Sequence, residues 1–364
     1  MAPNNVYEAD FDFIVAPGET LLETMEELNI TQTELSKRTG RSLKTINEII
    51  KGKQPILPET AIQLEKALGV PAKIWNNLEK NYKESLAKVE ERKQLEHEVE
   101  KLKLFPINQM IKFGWIEKKK DKLLQLDVLL KFFRVSTIDN LEAVWEGKVA
   151  FRKSEAYDTN ALAMATWIRK AEIEAESIKC QPYKKKTFEE VLKKIRNELV
   201  SETNPNKIIS ELQQRCATAG VAVVFERELK GCRVSGATKW IAPDKALISL
   251  SFRHKSHDHL WFTFFHEAAH ILLHKKRIMF IEGTKYEGFE AEEQEADIFS
   301  SNILIPNDSF EQFLTKGDYS APHIIEFAEE HNLHPGIIVG RLQHQKIIRY
   351  SELNHLKQRY EWAD

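Results

Sequence analysis

Residues Trp261–His274 read W-F-T-F-F-H-E-A-A-H-I-L-L-H, an apolar run interrupted by His266, Glu267 and His270 and closing on His274. Its length and its freedom from Gly and Pro predict a helix. Positions i and i+4 of a helix share a face, so His266 and His270 can aim two imidazoles at one metal ion with Glu267 beside them. That is the chemistry of a zinc peptidase. The H-E-x-x-H spacing arises by chance in roughly a few of every hundred chains of this kind, and a buried helix with satisfied histidines carries the same letters. The remainder of the site therefore has to be found elsewhere in the chain.

A catalytic zinc takes three protein ligands and keeps one position open. His274 would lie about 12 Å along the axis from His266 at 1.5 Å per residue, and no glycine follows His270 to break the helix, so His274 is set aside as a ligand. The helix expected over 290–306, E-A-E-E-Q-E-A-D-I-F-S-S-N-I-L-I-P, does better. Glu293 and Asp297 stand at i and i+4, one to ligate and the other to hold a ligand histidine by its outer ring nitrogen. Glu292 and Glu295 compete by composition, but Glu295 points about 200° around the helix from Glu293 and is expected to face solvent. Glu267 is then the catalytic acid/base, taking a proton from the activated water and returning it to the leaving amine. Arg253, His254, His257 and His259 precede the helix and are alternatives for stabilising an oxyanion, among which the residues alone do not choose.

Upstream, G-V-A-V-V-F-E (220–226), C-R-V-S-G-A-T-K-W-I (232–241) and K-A-L-I-S-L-S (245–251) are short β-rich runs joined by turn residues. Their spacing predicts a small antiparallel sheet, with strand 245–251 offered to an extended peptide by edge pairing. Downstream, helices are expected around 324–332 and 336–345, with a last one ending in R-Y-E-W.

The chain has 364 residues, 42% of them hydrophobic and 9% aromatic, enough for two or three domains with real cores. A formal charge of −2 excludes a globally basic nucleic-acid binder, so contact with DNA requires a local patch. Cys180, Cys216 and Cys232 are too few and too irregular for a disulfide framework or a cysteine-based zinc knot, which fits a reducing cytosol. Neither a signal peptide nor a run of eighteen apolar residues occurs, so a cytoplasmic protein without membrane insertion is expected.

The local patch lies near the start. After an arm of residues 1–16, Leu21, Leu22, Met25 and Leu28 mark a first amphipathic helix, and T-Q-T-E-L-S-K-R-T-G-R-S-L-K-T-I-N-E-I-I-K-G-K (31–53) reads as helix, turn, helix. Thr31 and Ser42 are the N-caps and Gly40 the stop. Pro58 and Gly69 bound a fourth helix, and Ile74, Leu78 and Tyr82 form the stripe of a fifth. Over 31–56, Lys37, Arg38, Arg41, Lys44, Lys51 and Lys53 face only Glu34 and Glu48, a net +4. A helix-turn-helix sets its second helix in the major groove and the N-terminus of its first on phosphate. Gln32 fits the phosphate contact; Leu43, Lys44, Thr45, Asn47 and Glu48 are placed for base edges, with Arg41, Ser42, Lys51 and Lys53 around them. One such unit reads little DNA, so a homodimer on palindromic double-stranded operator DNA is expected.

The expected organisation is thus multidomain: arm 1–16, an all-α helix-turn-helix domain 17–86, a helical connector 87–209 without identifiable chemistry, and an α+β zincin-like metallopeptidase domain 210–364. F-F-H-E-A-A-H-I-L-L-H, then E-Q-E-A-D-I-F-S-S-N-I-L-I-P, then P-G-I-I-V-G-R-L-Q resembles the ImmA/IrrE metallopeptidases over roughly 210–364. The resemblance implies zinc (Zn2+) on His266, His270 and Glu293, acid/base chemistry at Glu267, and cleavage of DNA-bound repressors in stress or mobile-element responses. Asp297 stands where that family commonly has Asn, and Ala269 where it has Gly. Segment 17–86 resembles HigA-type antitoxins of the Xre group, which places Leu43, Lys44 and Glu48 where related repressors touch bases. It also implies an alternative: an antitoxin that binds operator DNA and a small toxin, with the peptidase fold as scaffold or sensor.

Overall fold

The computed structural model describes residues 14–145, 159–232, 234–251, 253–274, 280–281 and 290–360. Most of the N-terminal arm and the end of the R-Y-E-W segment lie outside the described residues. The chain forms two compact units, residues 1–99 and 100–364.

The first unit contains helices α1 (Pro17–Glu27), α2 (Gln32–Thr39), α3 (Leu43–Ile50), α4 (Pro58–Leu68) and α5 (Ala72–Glu96). Local chemistry sets their ends. The Thr31 hydroxyl accepts from the Glu34 amide at 3.2 Å and the Ser42 hydroxyl from the Thr45 amide at 3.0 Å, while Gly40 stops α2 in the left-handed region at φ 69°. Leu21, Met25, Leu35, Ile46, Ile49, Leu64 and Trp75 form the shared core. On α5 the buried stripe is displaced from the expected one: Trp75 is fully buried, and Ile74 is exposed. The indole has more apolar surface to bury, and its Nε1 reaches the Val70 carbonyl at 3.2 Å.

In the second unit, helices α6 (Ile107–Lys112), α7 (Lys122–Phe133), α8 (Ile138–Trp145), α9 (Thr159–Ser177), α10 (Lys185–Glu198) and α11 (Pro205–Ala217) precede strands β1 (Val221–Phe225), β2 (Gly236–Ala242) and β3 (Lys245–Leu250). Then come α12 (His257–Leu273), β4 (Phe280–Ile281), α13 (Glu290–Leu304), α14 (Asn307–Lys316), α15 (Ala321–Glu330) and α16 (Pro335–His344). The expected antiparallel sheet is in fact mixed: the order is β1-β3-β2-β4, and β1 runs parallel to β3. Residues 226–235 are long enough for the chain to leave β1 and enter β2 on the far side of β3, which strand spacing alone does not reveal. Strand β3 is consequently interior, with both backbone edges paired, so it cannot take a peptide by edge pairing as the sequence suggested.

The sheet is covered on both faces. Val221, Val223, Ala246, Ile248 and Leu250 join a core with Phe188 and Leu192 of α10, Leu212 of α11, and Trp261, Phe264 and Phe265 of α12. Ala222, Val224 and Leu247 meet Ala171 and Ala175 of α9 on the other face. That double burial explains why β1 is apolar throughout without alternation. Residues 351–360 do not form the expected last helix. After a 3-10 turn at Asn354–Leu356, Tyr360 is buried and its amide bonds the Lys255 carbonyl at 2.8 Å, which draws this stretch into extended pairing.

Candidate metal centre and helix-turn-helix surface

Fourteen of the seventeen residues of α12 are buried, so it is a core helix. Its last two turns carry His266 and His270, each 2% exposed, and Glu267, fully buried. Helix α13 packs along it through small residues: the Ser300 hydroxyl bonds the Phe262 carbonyl at 2.8 Å, and Ala296, one turn earlier, is fully buried. This close packing brings Glu293 to the histidines. His266 Nε2 and His270 Nε2 are 3.0 Å apart, and the Glu293 carboxylate oxygens lie 3.3 Å from the first and 3.7 Å from the second.

These three residues fit a zinc ion. Nitrogens at about 2.05 Å from a tetrahedral ion stand about 3.3 Å apart, close to the 3.0 Å observed between the two rings. Their Nδ1 atoms are occupied on the outside, His266 by Asp297 Oδ1 at 2.9 Å and His270 by His274 Nδ1 at 2.9 Å, leaving both Nε2 atoms directed inward. Burial, followed by the neighbouring His266 and His274 rings, pushes the His270 imidazole down to about 2, so it is neutral and carries a lone pair at neutral pH. Buried Glu293 Oε1 has no hydrogen-bond donor among the described residues, a costly arrangement that a cation would relieve. His266, His270 and Glu293 are the one group of metal-ligating type found among the described residues.

Two site features were not read from the sequence. Glu295 is exposed, as expected, and from that exposed position its carboxylate also meets His274 Nε2 at 3.2 Å, His274 having left the helix at φ −107°, ψ 170°. Gly236 opens β2 against Glu267: a Cβ there would stand 2.5 Å from Thr263 Cγ2 and 2.8 Å from Glu267 Cγ and Oε1. A glycine at a strand start after a loop is a weak sign of such an approach. Beside it, the Thr238 hydroxyl donates to the Glu267 carbonyl at 3.0 Å.

Of the four oxyanion alternatives, His257 is fully buried, with Nε2 on the Glu202 carbonyl and the Trp261 indole, each at 2.9 Å, and is committed to the core. His254 stacks on His259 at 4.2 Å, and burial pushes it down to about 4. His259 also lines a cavity of about 250 Å³ with Asp258, Phe262, Leu304, Arg341 and His344. Burial would raise Asp258, but Lys357 at 2.7 Å outweighs it and holds the carboxyl below its ordinary value.

On the helix-turn-helix, Leu43 and Lys44 are exposed at the start of α3, and Lys51 and Lys53 are exposed beyond its end. Asn47 Nδ2 donates to Gln32 Oε1 at 3.3 Å, joining α3 to the N-terminus of α2. Arg41 Nε donates to Gln63 Oε1 at 2.7 Å, Ser42 is occupied as a cap on Thr45, and Glu48 lies 3.9 Å from Lys44.

Comparison with known proteins agrees with both halves. A helix-turn-helix family model matches residues 21–75, and the IrrE N-terminal-like domain, a peptidase family, matches residues 219–343. An uncharacterised HTH-type transcriptional regulator of Escherichia coli (strain K12), YddM, is 31% identical over 74 residues, which are 20% of this chain and 77% of that protein. The chain belongs to the HTH-type transcriptional regulators. Similar solved structures include the Pseudomonas aeruginosa antitoxin HigA with the higBA promoter (31% identity, 24% of this chain and 95% of that one, TM-score 0.22). Another is Pseudomonas aeruginosa PA4674 in complex with 18 bp of its operator DNA (32% identity, 23% and 90%, TM-score 0.22). In this regulator the reader is the N-terminal, Xre-type domain, and the IrrE-like peptidase domain contains the whole of the His266, His270 and Glu293 cluster. Among the described residues no helix is long and apolar enough to cross a membrane.

Proposed function

We propose that this regulator is a zinc-dependent endopeptidase joined in one chain to a DNA reader, and that it cuts a repressor or partner regulator in a stress or mobile-element response. The observation that carries this reading is the convergence of His266 Nε2, His270 Nε2 and Glu293 within 4.8 Å, with both outer ring nitrogens already engaged. Those three residues would hold the ion, and Asp297 would orient His266. Zinc, when bound, supplies Lewis acidity that activates a water and polarises the scissile carbonyl. Glu267, next to His266 on the same helix, takes the proton released as water attacks and delivers it to the leaving amine. Its enclosure by β2 and α12 keeps bulk water from competing for that proton.

The N-terminal domain binds operator DNA through Leu43, Lys44, Thr45, Asn47 and Glu48, with Gln32, Arg41, Lys51 and Lys53 on the backbone and a homodimer spanning a palindrome. A peptidase tethered to such a reader meets proteins that sit on DNA, so DNA-bound regulators are the first substrates to examine. The antitoxin alternative leaves the converged ligands and Glu267 without a task, and the enzyme reading is preferred on that ground.

The test is metal content followed by capture. Purified full-length protein should hold close to one zinc per chain and lose it on Glu293→Gln. Glu267→Gln should keep the zinc, retain a bound regulator in a pull-down, and fail to cleave it. Absence of stoichiometric zinc, or cleavage undiminished by Glu267→Gln, refutes the peptidase.

A further inference from the structure

We propose that His274 and Glu295 are positioning residues of the metal centre, forming a relay that fixes the proton and the ring orientation of His270. The inference rests on the metal reading above and adds two residues to it. His270 Nδ1 and His274 Nδ1 are 2.9 Å apart, a separation that requires one proton between two nitrogens. His270 must present a lone pair from Nε2 toward the point it shares with His266 and Glu293, so its proton belongs on Nδ1. His274 Nδ1 then accepts, the His274 proton sits on Nε2, and that nitrogen faces Glu295 Oε2 at 3.2 Å. A single tautomer assignment satisfies all three contacts.

The relay is the counterpart of the direct Asp297–His266 contact, with an imidazole interposed. Glu293, Glu295 and Asp297 come from the first two turns of α13, and each carboxylate has a different target: Glu293 faces both Nε2 atoms, Asp297 meets His266 Nδ1, and Glu295 meets His274. The His274 side chain is only 4% exposed, whereas that of Glu295 is 63% exposed. Solvent screening therefore weakens the outer link more than the inner one, and His274 should matter more than Glu295. His274 departs from helical geometry at φ −107°, ψ 170°, and its ring centroid stands 5.0 Å from that of His270.

Zinc affinity of the full-length chain, measured by competition with a chromophoric chelator, tests the relay without any substrate. His274→Phe should weaken zinc by about 10–100-fold, the range for loss of a partner to a ligand histidine. Glu295→Gln should weaken it a few-fold, and His274→Asn, whose Oδ1 can replace Nδ1 as acceptor, should stay near wild type. In the cobalt-substituted protein the visible bands should shift in His274→Phe and remain in place in His274→Asn. Unchanged affinity in His274→Phe, or equal loss in the Phe and Asn variants, overturns the relay while leaving the metal site intact. If His274→Phe fails to fold, His274→Ala carries the same expectation and the same refutation. Wild-type protein that takes up no zinc, or takes it up equally well as His270→Ala, overturns the metal reading and the relay together.

Discussion

Replacing Gly236 with Ala tests how tightly β2 is set against the acid/base residue. A methyl there would stand 2.5 Å from Thr263 Cγ2 and 2.8 Å from Glu267 Cγ and Oε1. Ordinary carbon contacts need about 3.5–4.0 Å, so roughly an ångström must be found at each. Strand β2 cannot simply withdraw, because Gly236 pairs with Leu250 of β3 and Ala237 pairs with both Ser249 and Ile281. Overpacking of this kind costs about 1–3 kcal/mol. At about 2–4 °C per kcal/mol for a unit of this size, the C-terminal unit should melt several degrees lower. Glu267 is the part able to yield, and a shift of about 1 Å in a catalytic group can cost about 100-fold in rate. Zinc affinity should remain within a few-fold, since the atoms nearest the added methyl belong to Thr263 and Glu267 and not to a ligand. Adding Thr263→Ser removes Cγ2 while keeping the hydroxyl, and should restore most of the melting temperature without restoring cleavage. A Gly236→Ala protein that melts and cleaves like wild type refutes the close approach; one whose rate recovers with Thr263→Ser refutes the role given to Glu267.

Three further outcomes follow from the geometry. Burial pushes the Glu226 carboxyl from 4.5 up to about 7, with Lys170 opposing and Glu174 adding. The folded state therefore binds this proton more tightly, and its stabilising share is complete below about pH 4.5 and lost as pH rises through about 7. Urea midpoints should show Glu226→Gln gaining on wild type between about pH 5 and pH 8, by on the order of 3 kcal/mol at most; a constant difference refutes the shift. On the reader, Lys51→Ala should weaken binding to any duplex about equally and flatten the slope of log K against log salt by about 0.9, and an unchanged slope removes Lys51 from the phosphate contacts. Ser42→Ala deletes the acceptor for the Thr45 amide and should cost the first unit about 1 kcal/mol; a melting curve identical to wild type shows the cap to be dispensable.

Much of the fold was legible because it is written in local chemistry. Caps at Thr31 and Ser42, the stop at Gly40 and the proline start at Pro58 each act within four residues of themselves. The sheet was legible as three strands but not as a pairing, because which strand lies beside which depends on where a ten-residue connection travels. The uniform burial of β1 was nevertheless a usable sign: an unalternating apolar strand is covered on both faces, and such strands are commonly parallel. Docking of α9 and α10 on opposite sides of that sheet had no local signature, since their apolar stripes fit any flat hydrophobic partner.

At the metal centre the legible part was everything governed by helical period. His266 and His270 share a face by i and i+4, and so do Glu293 and Asp297; two such pairs on packed helices converge. The same reasoning put Glu295 on the exposed side, where it stands, but missed its contact with His274, and the cause is specific. Counting 200° around α13 assumes that anything reaching Glu295 must come from the same direction as the ligands. His274 comes from the end of α12, where the backbone has left the helix, and its ring approaches from another side. The axial distance that removes His274 from the ligand set still holds, since its contact is with His270 Nδ1 and not with the point shared by the ligands. A residue too far to bind an ion can stand one hydrogen bond behind a residue that does, and periodicity counted from the metal outward has no means of seeing it.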